Sequence, residues 1–577
     1  MARLMTTATK TPATLAVAAS FLLLAAAAAS ASSAPFDYAG AFDKCLQFFE
    51  AQRSGKLPTD RRVHWRGDSA LKDGYLQGVD LVGGYYDSGD HVKFGFPMAY
   101  AVTMLAWGVL EFEKEMVAAN NHQRALDAIR WGTNYFVKAH TEPNVLWIDT
   151  NHPGSEVAAE TAAALAAASK AFRPYDSMYA DLLLLHAKQL FTFADTFRGR
   201  YDDSLLSAKK FYPSGSGYED ELLWAAAWLH DATGDEKYLQ YVSQNAEDFG
   251  GIGMSMLEFS WDNKYAGLQV LLSKAVLAGG GGEYADTLRQ YQAKAEFFLC
   301  ACLQKNGGHN MKLTPAGLLH VDEWNNMQYV SSATFLLTVY ADYLAASHGG
   351  ALRCPDGEVK PGEMVRFARS QADYILGKNP RGMSYMVGYG SYFPTHVHHR
   401  GASIPSVYAM ESPVGCMDGF DRYFNSKGAD PNVLHGAVVG GPDANDGFVD
   451  DRCNYQQAEP TLAGNAPICG VFARLASEPA DASGSPLEFV HTVSNSWTTN
   501  GVEYYQHVVT AKNTCGHPIT YLKLHVKGLS GPIYGVSATA AKEKDMYELP
   551  AWLTSLGAGE QLTIVYIQGG SAAKFSV

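Results

Sequence analysis

Stretch after stretch of this chain carries apolar residues at helical spacing, and after residue 486 that period gives way to short alternating runs. Helices are predicted over 98–115, 123–140, 157–172, 179–197, 220–231, 263–278, 284–304, 327–347 and 362–376, with shorter ones over 43–53 and 467–476. Gly279-Gly280-Gly281-Gly282 and Asn151-His152-Pro153-Gly154 are among the breaks between them. About a dozen helices with no run of strand signals imply one large all-α domain. Pairing around a ring would gather the loops at two ends, one of which can host a site, but periodicity does not fix the arrangement. Glu478 to Pro486 (Glu-Pro-Ala-Asp-Ala-Ser-Gly-Ser-Pro) has the composition of a linker. Beyond it, 487–493, 502–510, 521–526 and 561–567 are short, β-branched and aromatic, the pattern of a small β-sandwich. The expected division is 1–34, 35–477, 478–486 and 487–577.

The first 34 residues are set apart. Arg3 and Lys10 precede an apolar run from Leu15 to Ala29, and small residues follow at 30–34. This reads as a secretory signal peptide rather than a membrane anchor, because the run is short and no stop-transfer flank follows. Removing Arg3 and Lys10 from the 45 basic residues leaves 43 against 59 acidic ones, a net charge of −16. An acidic chain without a basic tract argues against nucleic acid or an anionic membrane as partner. All eight cysteines fall after the leader, and in an oxidising compartment some should pair, although the sequence leaves the pairing open. Aromatic residues make up 12% of the chain, enough to offer flat faces to an uncharged ligand such as a sugar.

Three places can carry chemistry. Asp87 and Asp90 stand three apart in Gly83-Gly84-Tyr85-Tyr86-Asp87-Ser88-Gly89-Asp90-His91. Two nearby carboxylates raise one pKa and can hold one water between them; the same residues also suit a turn that caps the next helix. Glu459, in Gln456-Gln457-Ala458-Glu459-Pro460, suits the first turn of a helix or a second carboxyl across a cleft. Hydrolysis of a glycosidic bond needs one protonated carboxyl for the leaving oxygen and one carboxylate for the water. His396-Val397-His398-His399-Arg400 is the third place. Its spacing is not that of a helical zinc site, so no metal is expected, and His398 and Arg400 can instead donate to hydroxyls. Trp261, Trp324 and Tyr218 lie beside polar residues, and each suits either a core or a stacking platform.

Taken together, these segments resemble family 9 glycoside hydrolases of the plant endo-β-1,4-glucanase type. The resemblance runs from about Phe36 to Ala476. It rests on GGYYDSGDHVKFGFPMA (83–99), GSEVAAETAAALAAAS (154–169), SWDNKYAGLQVLLSK (260–274), EWNNMQYV (323–330) and PNVLHGAVVGGPDANDGFVDDRCNYQQAEPT (431–461). It implies an (α/α)6 barrel and hydrolysis of internal β-1,4-glucosidic bonds with inversion. By motif, Asp90 matches the general base, Asp87 its partner on the same water, Glu459 the general acid and Asp450 an acidic residue of the same signature. His398 and Arg400 match the histidine signature that binds substrate, and Trp324, with Trp261 and Tyr218, matches sugar-stacking aromatics. Residues 487–577 resemble the family 49 carbohydrate-binding module, with Trp497, Tyr534 and Trp552 as candidate binding aromatics. The implied partner is a cellulose-type β-1,4-glucan of the cell wall, met outside the cell by a monomer that needs no cofactor.

The sequence departs from the family's pattern in four places. After Trp147 it lacks a loop that contains a C-W-E-R-P-E-D-M stretch and lines the groove. Pro213 stands where the family has a cysteine, which fits the loss of one disulfide together with that loop. Tyr392 replaces a basic residue of the histidine signature, and Leu462-Ala463-Gly464 lacks the aromatic that normally follows the acid. The missing loop leaves open an alternative, a catalytically impaired protein that only binds glucan.

Overall fold

The structure is a computed structural model that describes residues 36–577 except 348–349, 411, 478–486, 500, 514–518, 520–521, 540–544, 551, 558 and 577. The leader and linker expected from the sequence lie outside the described residues, as does Cys515. The chain forms two compact units, Asp37–Glu478 and a second that contains Pro479–Val577.

Among the described residues the first unit has twelve helices of nine or more residues. They are α1 (Tyr38–Ala51), α2 (Gly95–Ala118), α3 (His122–Ala139), α4 (Ser155–Phe172), α5 (Ser177–Thr196), α6 (Glu219–Thr233), α7 (Glu236–Gln244), α8 (Tyr265–Leu277), α9 (Ala285–Cys302), α10 (Asn326–Ala346), α11 (Pro361–Leu376) and α12 (Leu462–Ala476). The even-numbered helices pack α2 on α4, α4 on α6, α6 on α8, α8 on α10, α10 on α12 and α12 back on α2. That closes a ring. Each odd-numbered helix packs on an even-numbered neighbour outside it, α1 on α12 and α3 on α2, through α11 on α10. This is the (α/α)6 barrel.

Sequence decides which ring a helix joins. A helix apolar all round must be buried all round, whereas one with a single stripe lies at the surface. Seventeen of the eighteen residues of α4 are buried, with Lys170 the exception, and its alanines let neighbouring helices approach closely. On α3 the buried residues instead fall on a stripe, Ala125, Leu126, Ala128, Ile129, Gly132, Thr133, Phe136 and Ala139. Helix α2 is long and apolar enough to cross a membrane, but 83% of that stretch is buried, which is what an inner barrel helix requires. Trp107 of α2 meets Trp224 and Trp228 of α6 and Phe335 of α10 edge-on, at 5.6, 5.6 and 5.2 Å between ring centres.

Two expected starts move. Helix α1 begins at Tyr38 rather than Asp43, because the Asp37 side chain accepts the Gly40 N–H and caps it. Helix α12 begins at Leu462 rather than Pro467, capped by Thr461, whose hydroxyl accepts the Gly464 N–H at 2.9 Å. Pro467 is tolerated inside it, where it forfeits a backbone donor. Disulfides join Cys45 to Cys469 and Cys300 to Cys354; Cys302, Cys416 and Cys453 are free thiols.

In the second unit, β1 (Leu487–Thr499), β2 (Val502–Asn513), β3 (Lys523–Lys527), β4 (Ile533–Tyr534), β5 (Ser537–Ala538), β6 (Met546–Glu548), β7 (Gln561–Gly569) and β8 (Lys574–Ser576) form two antiparallel sheets. Their orders are β4-β7-β2-β1 and β5-β6-β3-β8. Val509, Ala511, Leu524, Val526, Leu562 and Ile564 fill the space between, as a β-sandwich demands. Strand alternation turns the other side of the first sheet outward. Trp497 pairs with Tyr504, and Tyr534 with Val565, on that outer face.

Candidate active site

The loops that precede the inner helices carry the candidate residues. Asp87 and Asp90 come before α2, Tyr218 before α6, Trp261 before α8, Trp324 before α10 and Glu459 before α12. Helix N-termini leave N–H groups unpaired and carry partial positive charge, so this end of the barrel suits carboxylates.

Asp87 is fully buried. Its Oδ1 accepts the Leu462 N–H, the first of α12, at 3.2 Å, and its Oδ2 accepts the Tyr212 hydroxyl. Burial pushes its carboxyl up to about 6. The Tyr212 hydroxyl and the backbone N–H groups of Leu462 and Ser88 hold it down, and the Asp90 charge adds a push upward. Ser88 sits at φ +55°, a left-handed turn fixed where Gln52 Nε2 donates to the Ser88 carbonyl at 2.8 Å. At Gly89 a Cβ would lie 2.0 Å from the His398 carbonyl oxygen, so this close approach requires glycine.

That approach brings the third carboxyl in. The Gly89 N–H donates to Glu459 Oε1 at 3.2 Å. Burial pushes Glu459 up to about 8; Asp87 and Asp90 push the same way, and the Gly89 N–H opposes them. At neutral pH Glu459 therefore holds its proton. Asp90 is partly exposed, and its Oδ1 pairs with Arg400 Nε at 2.7 Å. The Arg400 guanidinium also lies 4.3 Å over the Phe420 ring, and its backbone N–H donates to the Gly89 carbonyl at 2.8 Å. Arg400 thus reaches the site through Asp90.

The histidines diverge. His398 Nδ1 donates to the Arg452 carbonyl at 2.6 Å, which directs Nε2 at Glu459 Oε1, 3.8 Å away. Burial lowers its pKa, so the ring is neutral at pH 7. His399 is buried between Gln52 Oε1, which accepts from Nε2 at 2.8 Å, and the Ala402 N–H, which donates to Nδ1 at 2.9 Å. His396 turns to Asp450. Asp450 accepts the N–H groups of Thr395 and His396 at 2.9 and 3.0 Å. It thereby holds the start of the histidine segment.

The aromatic candidates separate as well. Trp324 is half-buried, and the next residue, Asn325, donates from Nδ2 to the Glu459 carbonyl at 2.9 Å, which ties this segment to Glu459. Tyr218 is half-buried at the start of α6. Trp261 is only 7% exposed and packs edge-on against Phe96 and Tyr212 at 5.5 and 4.8 Å. The platform expected at Trp261 is corrected to a buried support, because almost none of the ring is open to a ligand. In the second unit Trp497, Tyr534 and Trp552 are exposed, and Trp497 stacks on Tyr504 at 6.3 Å.

Sequence reasoning missed Tyr212, Gln52, Asn325 and Arg452. The Arg452 guanidinium pairs with Asp430 and donates to the carbonyls of Phe424, Ser426 and Gly428, which pins the loop behind His398. None of the four stands in a spacing that signals its role. Asn325, beside Trp324, and Arg452, within 431–461, lay in segments already singled out.

Residues 38–472 match the profile of glycosyl hydrolase family 9, and residues 487–571 that of carbohydrate binding domain CBM49. Endoglucanase 13 of Oryza sativa subsp. japonica is 71% identical, over 99% of this chain and 99% of its own length. That alignment runs over 619 positions against the 577 of this chain, so at least 42 positions have no counterpart here. Endoglucanase 5 of Arabidopsis thaliana is 52% identical, over 94% of this chain and 95% of its own. An endoglucanase structure from the termite Nasutitermes takasagoensis is 39% identical with a TM-score of 0.66, covering 76% of this chain and 99% of that one. A profile that spans the whole barrel, relatives matched end to end and a shared architecture agree: the chain belongs to glycosyl hydrolase family 9.

Proposed function

We propose that the chain is an endo-β-1,4-glucanase that cuts internal bonds of cellulose-type glucan with inversion. The observation that carries the reading is a largely buried Glu459 that accepts the N–H of Gly89, the residue beside Asp90. Asp87 and Asp90 hold one water. As its oxygen attacks the anomeric carbon, Asp90 takes its proton, and Glu459 gives its own to the departing glycosidic oxygen. Inversion needs the acid and base about 6.5–9.5 Å apart, room for that water. Arg400 orients Asp90, His398 backs Glu459, Asp450 positions the histidine segment, and Trp324 and Tyr218 offer faces to sugar rings. Both carboxyls come from one chain, so a monomer suffices, and the scheme calls on no cofactor.

The second unit tethers the enzyme to polysaccharide through Trp497 and Tyr534 on its outer sheet face and through Trp552. Secretion to the cell wall is supported by the leader-like residues 1–34 and by the plant relatives named endoglucanases. The reading is tested by viscosity loss and reducing-end release from carboxymethyl-cellulose, with wild type beside Glu459→Gln. A rapid viscosity drop that vanishes in the variant supports it. An inactive but folded wild type favours the alternative, a glucan-binding protein, which the shortened segment after Trp147 motivates.

A further inference from the structure

A cavity of about 300 Å³ opens beside Asp90, where the segment after Trp147 is short. Phe94, Phe136, Trp147, Tyr201, Phe211 and Tyr212 are in its wall. Trp147 is held there from two sides: its backbone N–H donates to the Ala139 carbonyl at 2.8 Å and its Nε1 to Thr141 Oγ1 at 3.0 Å.

Among the described residues, most of the polar side chains in the wall are already engaged, the Tyr135 hydroxyl being one that is not. Lys93 Nζ pairs with Asp73 at 2.6 Å and donates to the Leu81 and Gly83 carbonyls at 2.7 and 3.1 Å. Thr161 Oγ1 donates to the Val157 carbonyl at 2.7 Å. The Tyr201 hydroxyl serves the Tyr212 carbonyl, the Tyr212 hydroxyl serves Asp87, and Asp90 pairs with Arg400. Asp149 and Ser207, by contrast, are exposed and stand at the mouth.

That distribution decides between occupants. A sugar ring has hydroxyls around its whole edge, and each one buried without a partner costs roughly tenfold in affinity. An aromatic ring has no such edge, and an apolar cavity of about 150 Å³ already admits benzene. A phenolic hydroxyl has one polar end, which Asp149 and Ser207 at the mouth can meet.

From these observations we infer that the cavity beside Asp90 is a binding site for a small, uncharged phenolic compound, whose ring seats among Phe94, Trp147 and Phe211. So bound, it lies against the carboxylate that the glycan must reach and competes with it.

The probe is 4-methylphenol, titrated calorimetrically into the full chain beside methyl β-D-glucoside. The expected result is a dissociation constant on the order of 1 mM for the phenol, at least tenfold tighter than for the glucoside. Ala208→Phe, which fills the cavity from its wall, should weaken the phenol at least tenfold while melting like wild type. In kinetics the phenol should compete with glucan. No binding of the phenol by wild type, tighter binding of the glucoside, or unchanged phenol affinity in a folded Ala208→Phe variant overturns the inference. If that variant does not fold, the wild-type comparison decides alone. The binding arm does not depend on which carboxylate is the base, so its failure is distinguishable from failure of the catalytic assignment.

Discussion

Asp87 Oδ1 accepts the backbone N–H of Leu462 at 3.2 Å, across 375 residues of sequence. Leu462 opens α12, and Glu459 lies three residues before it. One hydrogen bond therefore ties the loop that carries the proposed base to the helix that follows the proposed acid. Tyr212 completes the arrangement by donating to the other oxygen of the same carboxylate.

Glu459→Gln keeps the shape and removes the proton. Turnover of carboxymethyl-cellulose should fall about 10²- to 10⁴-fold, the usual worth of a general acid. The variant should also be more stable. A folded pKa of about 8, against about 4.3 unfolded, means that the wild-type side chain costs stability increasingly as pH rises from 4 toward 8. The gain in Tm should be on the order of 1–3 °C at pH 7.5 and nearly absent at pH 4.5. An equal gain at both values would contradict the burial argument.

The pH profile of kcat/KM should be bell-shaped. Activity falls on the alkaline side as Glu459 loses its proton near pH 8, and on the acid side as Asp87 gains one near pH 6. A profile flat from pH 4 to 9 would refute this.

Tyr212→Phe removes a hydrogen bond to the charged form of Asp87, and such bonds lower a carboxyl pKa. The acid limb should move to higher pH, with the alkaline limb unmoved. A purely structural Tyr212 would lower the whole curve without shifting it.

Much of this was legible in the sequence. The inner helices α2, α4, α8 and α10 announce themselves because a buried helix carries a long apolar run, and Asp87, Asp90 and Glu459 lie in recognisable loops. What stayed hidden depends on contacts across the ring. Neither Gln52 nor Tyr212 carries a local signal, since each matters only through a partner brought near by closure. Trp261 misleads for the same reason. Its polar neighbours leave core and platform both open, and only the packing of Phe96 and Tyr212 against the ring decides for the core.

Gly89→Ala places a methyl group where the His398 carbonyl already stands. The clash pushes Asp90 and Glu459 apart, so turnover should drop at least 100-fold and Tm should fall. Wild-type turnover with an unchanged Tm would show that the two loops are not in register there.

Trp497→Ala with Tyr534→Ala strips the outer face of the second unit. Retention on insoluble cellulose should fall several-fold while the rate on soluble carboxymethyl-cellulose stays within about twofold, because aromatic stacking contributes only about 1 kcal/mol per ring. Equal losses on both substrates would argue against a tethering role.

Closure of the ring has a consequence for biosynthesis. Helix α12 is the last of twelve to leave the ribosome, and until it slots between α2 and α10 the barrel has a gap along one side. The same step brings Glu459 to the Gly89 N–H and Cys469 to Cys45, so the chain cannot bring the proposed acid and base together before it completes its fold. A nascent or truncated barrel that ends before α12 should therefore be inert, and the Cys45–Cys469 bond can form only in a chain that has closed its ring.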